Sequence, residues 1–266
     1  MPYYVNGTAT DEQDLVGQLD TFLTGTIGTW VKIDTVTDTA ATKDLVFRSP
    51  GNGEHRQIYL RFLATGNSVY IYGYSGWRSS VDYDGQLHSA IYSRMGTGTG
   101  NINYWFFGDI DYVWIVAEDS VGNYIAGHGG LLDSYHSAED DDLPLVIIGC
   151  INSSYSMTGT NRTYMYSALV SGTNIMHKAY NTHTPLLAYG DPSDRNANVE
   201  AHTPFIIYND VVGHKEVRGE LRGALYFSGT SFSSGDWVTI SGTDMSYFVR
   251  SISASNCEAF GPVVTG

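Results

Sequence analysis

The chain reads as mainly β, a β-sandwich or meander of sheets with one short N-terminal α-helix. Three observations predict this. Aromatic and β-branched runs such as YLRFLATGNSVYIYGYSGW (59–77) and YWFFGDIDYVWIV (104–116) are broken by Gly and Asn at turn spacing, which is the pattern of short strands joined by tight turns. From Trp30 onward the apolar period is two. One stretch near the N-terminus instead repeats at helical spacing.

That stretch opens with Thr10-Asp11-Glu12-Gln13, which has the form of a capping box, and continues with Leu15, Val16, Leu19, Phe22 and Leu23 until Gly25 ends the pattern. A helix is therefore expected over 10–23. Trp30, Lys32 and Asp34 then alternate with Val31, Ile33 and Thr35, and Leu45/Phe47 and Ile58/Leu60/Phe62 mark further strands. Gly66-Asn67 supplies a tight turn, so 57–63 and 69–74 form a hairpin. In its second strand Tyr70, Tyr72 and Tyr74 share one face, and Val69 and Ile71 the other. RMGTGTGNIN (94–103) is a Gly/Thr loop with no helix after it, and so no phosphate cradle. Strands are expected again at 104–107, 112–117 and 121–126, then at 143–151, 163–170, 205–208, 223–228, 237–240 and 247–252.

His128-Gly129-Gly130 followed by SAEDDD (137–142) is the sharpest break in the pattern. The domain reading places a helix and β-meander or sandwich in 1–130, and a second β-rich domain, or a continuation of the same sandwich, in 131–266. At 266 residues, with 42% hydrophobic and 16% charged residues, the chain can bury a substantial core and lacks the composition of a disordered one. Its 20 Tyr and 5 Trp favour interfaces as well as cores, because Tyr joins a rigid apolar ring to a polar tip.

The net charge of −14, from 28 acidic and 14 basic side chains, repels a phosphate backbone, so nucleic acid is not an expected partner. MPYYVNGTATDEQ has neither a basic segment nor an apolar core of a signal peptide, and no run of about 20 apolar residues spans a membrane. Cys150 and Cys257 sit in apolar contexts without metal-type spacing and read as buried thiols. No metal site and no cofactor is expected.

No nucleophile elbow or zinc-type Cys/His set is present, so no catalytic residue is assigned. The eight histidines (55, 88, 128, 136, 177, 183, 202 and 214) make no HxH or HExxH pattern. Asp140–Asp142 with Glu139 offer oxygen ligands for Ca²⁺ but lack the EF-hand spacing and read as a solvated loop. Asp109 and Asp111 read as turn-forming residues at a hairpin edge. Asp82/Asp84 and Asp191/Asp194 are the carboxylate pairs a glycosidase would need. The aromatic cluster gives the ligand-binding candidates Tyr72, Tyr74, Trp77 and Tyr83, rings able to stack on sugars as well as to fill a subunit interface.

The order of these features, from the N-terminal helix through GTWVKI (28–33), the turn RSPGNGE (48–54), two aromatic strands and WFFGDID (105–111), resembles a family of poorly characterised virion structural proteins of tailed bacteriophages, associated with the tail, baseplate or neck. The likeness extends to about Gly127; the half from Leu131 onward carries none. It implies a non-enzymatic virion protein, made in the host cytoplasm, that works as a symmetric homo-oligomer in contact with other phage virion proteins. The alternatives are a host-attachment module binding a bacterial surface glycan or receptor, and a polysaccharide depolymerase.

Overall fold

The computed structural model describes residues 2–52, 57–74, 76–79, 92–134, 146–151, 164–167, 176–179, 202–211, 214–228, 232–240, 243–253 and 256–264. It is mainly β, with a single short helix among the described residues, near the N-terminus. In chain order the elements are β1 (Tyr3–Ala9), α1 (Glu12–Thr21) running into a π-helical turn (Phe22–Ile27), β2 (Val31–Asp38), β3 (Lys43–Ser49), β4 (Ile58–Ala64), β5 (Ser68–Tyr74), β6 (Ser93–Gly96), β7 (Ile102–Gly108), β8 (Tyr112–Glu118) and β9 (Tyr124–Ser134). They continue with β10 (Val146–Ile151), β11 (Tyr164–Ser167), β12 (Met176–Ala179), β13 (His202–Val211), β14 (His214–Ser228), β15 (Trp237–Thr239), β16 (Met245–Ser253) and β17 (Asn256–Val264).

The helix is displaced from its expected cap. Asp11, not Thr10, is the N-cap: its carboxylate accepts the Asp14 N–H at 2.7 Å, while the Asp14 carboxylate accepts the Thr10 N–H at 2.9 Å. The return bond goes to the residue before the N-cap, so the arrangement is a capping box shifted by one residue on that side. Nor does Gly25 end the helix, because the wider π turn carries it to Ile27, where Gly28 closes it with φ 73° and donates to the Leu23 carbonyl. Leu15, Val16, Leu19, Phe22 and Leu23 are all buried, so the apolar stripe lies on the sheets of its own subunit.

Among the described residues the strands form a five-stranded sheet, β2-β3-β4-β5-β6, and a twelve-stranded sheet, β1-β7-β8-β9-β10-β11-β12-β13-β14-β17-β16-β15. All pairings are antiparallel. The larger sheet folds back on itself to give three layers. Val113, Ile115 and Ala117 of β8 pack with Leu60, Phe62 and Ile71 of the five-stranded sheet in one core. Tyr112, Trp114 and Val116, from the other side of the same strand, pack with Ala224, Phe248 and Phe260 in a second core. A strand covered on both faces needs apolar residues at every position instead of alternating ones. This is why YVWIVA at 112–117 is uninterrupted.

The boundary expected at Gly130 falls inside β9, which is continuous across it and pairs with β8, β10 and β14. The β9–β14 pairing, Leu132 opposite Leu221, closes β9 to β14 into a ring of six paired strands. At this junction two glycines are required. Gly130 has φ 153° and a Cβ there would lie 2.5 Å from the Asp111 carbonyl oxygen; Gly223 has φ 74° and a Cβ would meet the Tyr112 ring at 2.4 Å. Tyr112 is wedged between the two backbones.

The β7–β8 turn ties the layers together. Asp111, 3% exposed at its side chain, forms an ion pair with Arg222 of β14 and accepts the Asn52 N–H at 2.6 Å. The Trp30 indole N–H donates to the Asp109 carbonyl at 2.8 Å, the Ser49 hydroxyl to the Ile110 carbonyl at 2.5 Å, and the Trp114 indole N–H to the Arg222 carbonyl at 2.7 Å. The expected turn-forming role holds for Asp109, whose Oδ1 accepts the Asp111 N–H at 2.7 Å, whereas the Asp111 carboxylate is spent on Arg222 and Asn52. Burial raises the Asp109 carboxyl above its ordinary value, partly offset by that N–H.

Candidate functional site

The aromatic candidates sit on the outward face of the five-stranded sheet, and their placement follows from one turn. Gly66 and Asn67 both have φ 59°, the geometry of the two-residue turn whose twist matches a hairpin. It fixes the register so that Tyr59 pairs with Tyr74, Arg61 with Tyr72 and Leu63 with Tyr70. Strand alternation then sends Ile58, Leu60, Phe62, Val69 and Ile71 into the core, all 0% exposed, and the partner residues outward.

On this face tyrosines and arginines interleave. The Arg61 guanidinium lies 5.0 Å from the centre of the Tyr72 ring, and that of Arg94, on β6, 5.7 Å from Tyr70. Such stacking contributes about 0.5–1 kcal/mol at exposed sites and fixes the orientation of both partners. Tyr92 sits edge-on to Tyr70 at 5.0 Å and tilted against Tyr72 at 5.7 Å. Arg61 is held from below by a two-pronged bond to Asp44, Nε to Oδ1 at 2.7 Å and Nη2 to Oδ2 at 2.6 Å. Burial pushes the Tyr72 hydroxyl up to about 12, with Arg61 pulling the other way, so the group keeps its proton at any physiological pH.

The four predicted residues do not behave alike. Tyr72 is half-buried. Tyr74 is 1% exposed; the Trp77 ring packs on it at 5.1 Å and the Tyr72 ring stacks at 6.4 Å, so as an open surface ring the expectation fails there. Trp77 is half-buried, its indole N–H donating to Asp34 at 3.1 Å. It serves as a cover over Tyr74. Tyr83 lies outside the described residues, as do Asp82/Asp84, Asp191/Asp194 and the acidic run 137–142.

Sequence reasoning overlooked Tyr59, Arg61, Tyr92 and Arg94. For Arg61 the signal was available: a two-residue turn at Gly66-Asn67 places it opposite Tyr72. Tyr92 and Arg94 gave no comparable signal, because a four-residue strand between loops has too few positions to reveal its period. Elsewhere, no three His, Cys, Asp or Glu side chains converge among the described residues, and Asp111 is occupied by Arg222 and Asn52. No described helix is long and apolar enough to cross a membrane. No protein-family model matches the chain, and no curated protein matches it.

Proposed function

We propose that this chain is a non-enzymatic structural protein of a tailed-bacteriophage virion, acting in the tail, baseplate or neck through homo-oligomeric assembly and contacts with other virion proteins. The observation that carries the assembly part is the tyrosine–arginine face of β4, β5 and β6. Protein interfaces are enriched in Tyr and Arg, and rings already fixed by neighbouring guanidinium groups lose little rotamer entropy on docking. The virion assignment rests on the order of elements from the N-terminal helix to WFFGDID. That motif is the turn on which all three layers are fastened, a place where a fold tolerates little substitution.

The same face is poorly suited to a neutral sugar. Hydroxyl groups need acceptors as well as donors, and among the described residues the carboxylates Asp34 and Asp44 on this face are engaged by Trp77 and Arg61. The reading is tested by light-scattering mass of the purified chain against 29.1 kDa for one copy. A stable multiple of that mass supports a virion building block. A monomer at every concentration up to about 100 μM, well above the Kd range of specific interfaces, refutes assembly through this chain alone.

A further inference from the structure

Two surfaces of the molecule, one on each outer layer, carry opposite chemistry among the described residues. On the five-stranded sheet Arg48 and Arg94 are exposed, and neither has a carboxylate partner among the described residues. Arg94 spends one N–H on the Ser68 hydroxyl at 3.0 Å, which leaves most of its guanidinium donors open. Among the described residues, the carboxylates Asp44 and Asp34 of this face are already engaged, by Arg61 and Trp77. The surface is therefore rich in donors, cationic and aromatic, within a chain whose net charge is −14.

Across the molecule, the β15–β16 hairpin with β17 presents the reverse. Between 232 and 264 the sequence holds one basic residue, Arg250, and it is 1% exposed with its Nε–H on the Tyr124 carbonyl at 3.1 Å. Asp236, whose Oδ2 accepts the Ser233 N–H at 2.7 Å, is exposed just before β15, and Asp244 is exposed just before β16. Beside Asp244 stand Met245, 42% exposed, and its cross-strand partner Val264, 47% exposed. The β15–β16 hairpin and β17 offer surface carboxylates and apolar side chains, and no exposed cation among their described residues.

We infer that copies of this chain dock head to tail, the tyrosine–arginine face of one copy against the acidic β15–β16 hairpin of the next. The inference rests on the assembly reading above and names its partner and geometry. A face-to-face dimer would set Arg48 and Arg94 against themselves, and like charges in contact repel. The tyrosine–arginine face and the β15–β16 hairpin each complement the other and not themselves, and that condition selects a heterologous contact, which closes into a ring or extends as a stack. Guanidinium groups take carboxylates through paired hydrogen bonds, while the tyrosine rings supply apolar area for Met245 and Val264.

The test is charge reversal with complementation. R48E/R94E and D236K/D244K change only exposed side chains, and unaltered thermal melts establish that both variants fold. Each alone should run at 29.1 kDa where the wild type runs at a multiple of that mass. Mixed in equal amounts they should assemble again with the two variants alternating, because every reversed face then meets a reversed face; a stack or an even-numbered ring regains the wild-type mass, and an odd-numbered ring gives an even-numbered assembly instead. Wild-type assembly should also weaken as salt rises from 50 to 500 mM, flagged by a roughly twofold or greater drop in mass as the Debye length shortens. Variants that assemble like the wild type overturn the head-to-tail contact and leave homo-oligomerisation standing. Loss of assembly in R48E/R94E alone, with D236K/D244K unaffected, overturns the acidic hairpin as the partner. A wild type that stays monomeric overturns this inference and the assembly reading together.

Discussion

Replacing Asp111 by Ala removes the carboxylate that joins the β7–β8 turn to β14. Breaking a buried ion pair by deleting one partner costs about 3–5 kcal/mol when the survivor is left dry. Here the survivor is Arg222, whose side chain is 31% exposed, so water recovers part of the loss and the expected cost falls to about 2–3 kcal/mol. The Asn52 N–H, at an exposed residue, adds little. The reverse deletion is worse: Arg222→Ala strands a carboxylate that is only 3% exposed, and about 3–5 kcal/mol is expected. Urea unfolding followed by tryptophan fluorescence measures both, since Trp30 and Trp114 report the two cores that flank the turn. R222A should unfold at lower urea than D111A, and the double variant should be more stable than R222A alone. In thermal melts D111A should lose roughly 4–12 °C, taking about 2–4 °C per kcal/mol for a chain of this size. Equal costs for the two single variants, or a D111A loss under about 0.5 kcal/mol, the level of an ordinary surface change, would refute the claim that this pair fastens the layers.

Three further outcomes follow from the fold. Gly223→Ala forces a side chain into the left-handed region and into the Tyr112 ring, so a loss of about 2–5 kcal/mol in the same urea assay is expected, and Tyr112→Ala should relieve part of it. His128 is fully buried against Trp114, with no hydrogen-bond partner on either ring nitrogen among the described residues, and burial lowers its pKa to about 3. Below about pH 6.5 the unfolded chain takes up a proton that the folded chain refuses, so this residue makes stability fall with pH between about 6.5 and 3, by up to roughly 1.4 kcal/mol per pH unit. His128→Phe should flatten that part of a stability-against-pH curve. Asp11→Ala removes the helix N-cap and should cost about 1 kcal/mol, read as a lower Tm with unchanged strand signal in circular dichroism.

What the sequence revealed was local. The Gly66-Asn67 hairpin, the helical stripe from Leu15 to Leu23 and the uninterrupted apolar run of β8 each carry their signal within a dozen residues. β1 went unread because Asn6, Gly7 and Thr8 look like turn residues, yet the strand pairs with β7 along its whole length from Tyr3 to Ala9. The layering was hidden for a different reason. A run such as YVWIVA declares that both its faces are covered but not by what, and the cover comes from Ala224, Phe248 and Phe260, more than a hundred residues away. Likewise Asp111 looked like a turn former, but its carboxylate is spent elsewhere, and its partner Arg222 lies 111 positions further on, where no spacing rule reaches. At the candidate site, alternation placed Tyr72 and Tyr74 on one face correctly, but it could not foresee that Trp77 would fold over Tyr74.

The second core has a consequence for how this molecule is made. Phe107, Trp114 and Val116 belong to strands that leave the ribosome early, and they receive Phe248 and Phe260 only when the last two strands have been synthesised. At about 5–20 residues per second, the nascent chain carries a bare aromatic sheet for roughly ten seconds or longer. During that interval, nascent neighbours on the same messenger present each other with the sticky surface that β16 and β17 will later cover. Truncation before β16 would make the exposure permanent, turning a well-packed middle layer into an aggregation surface.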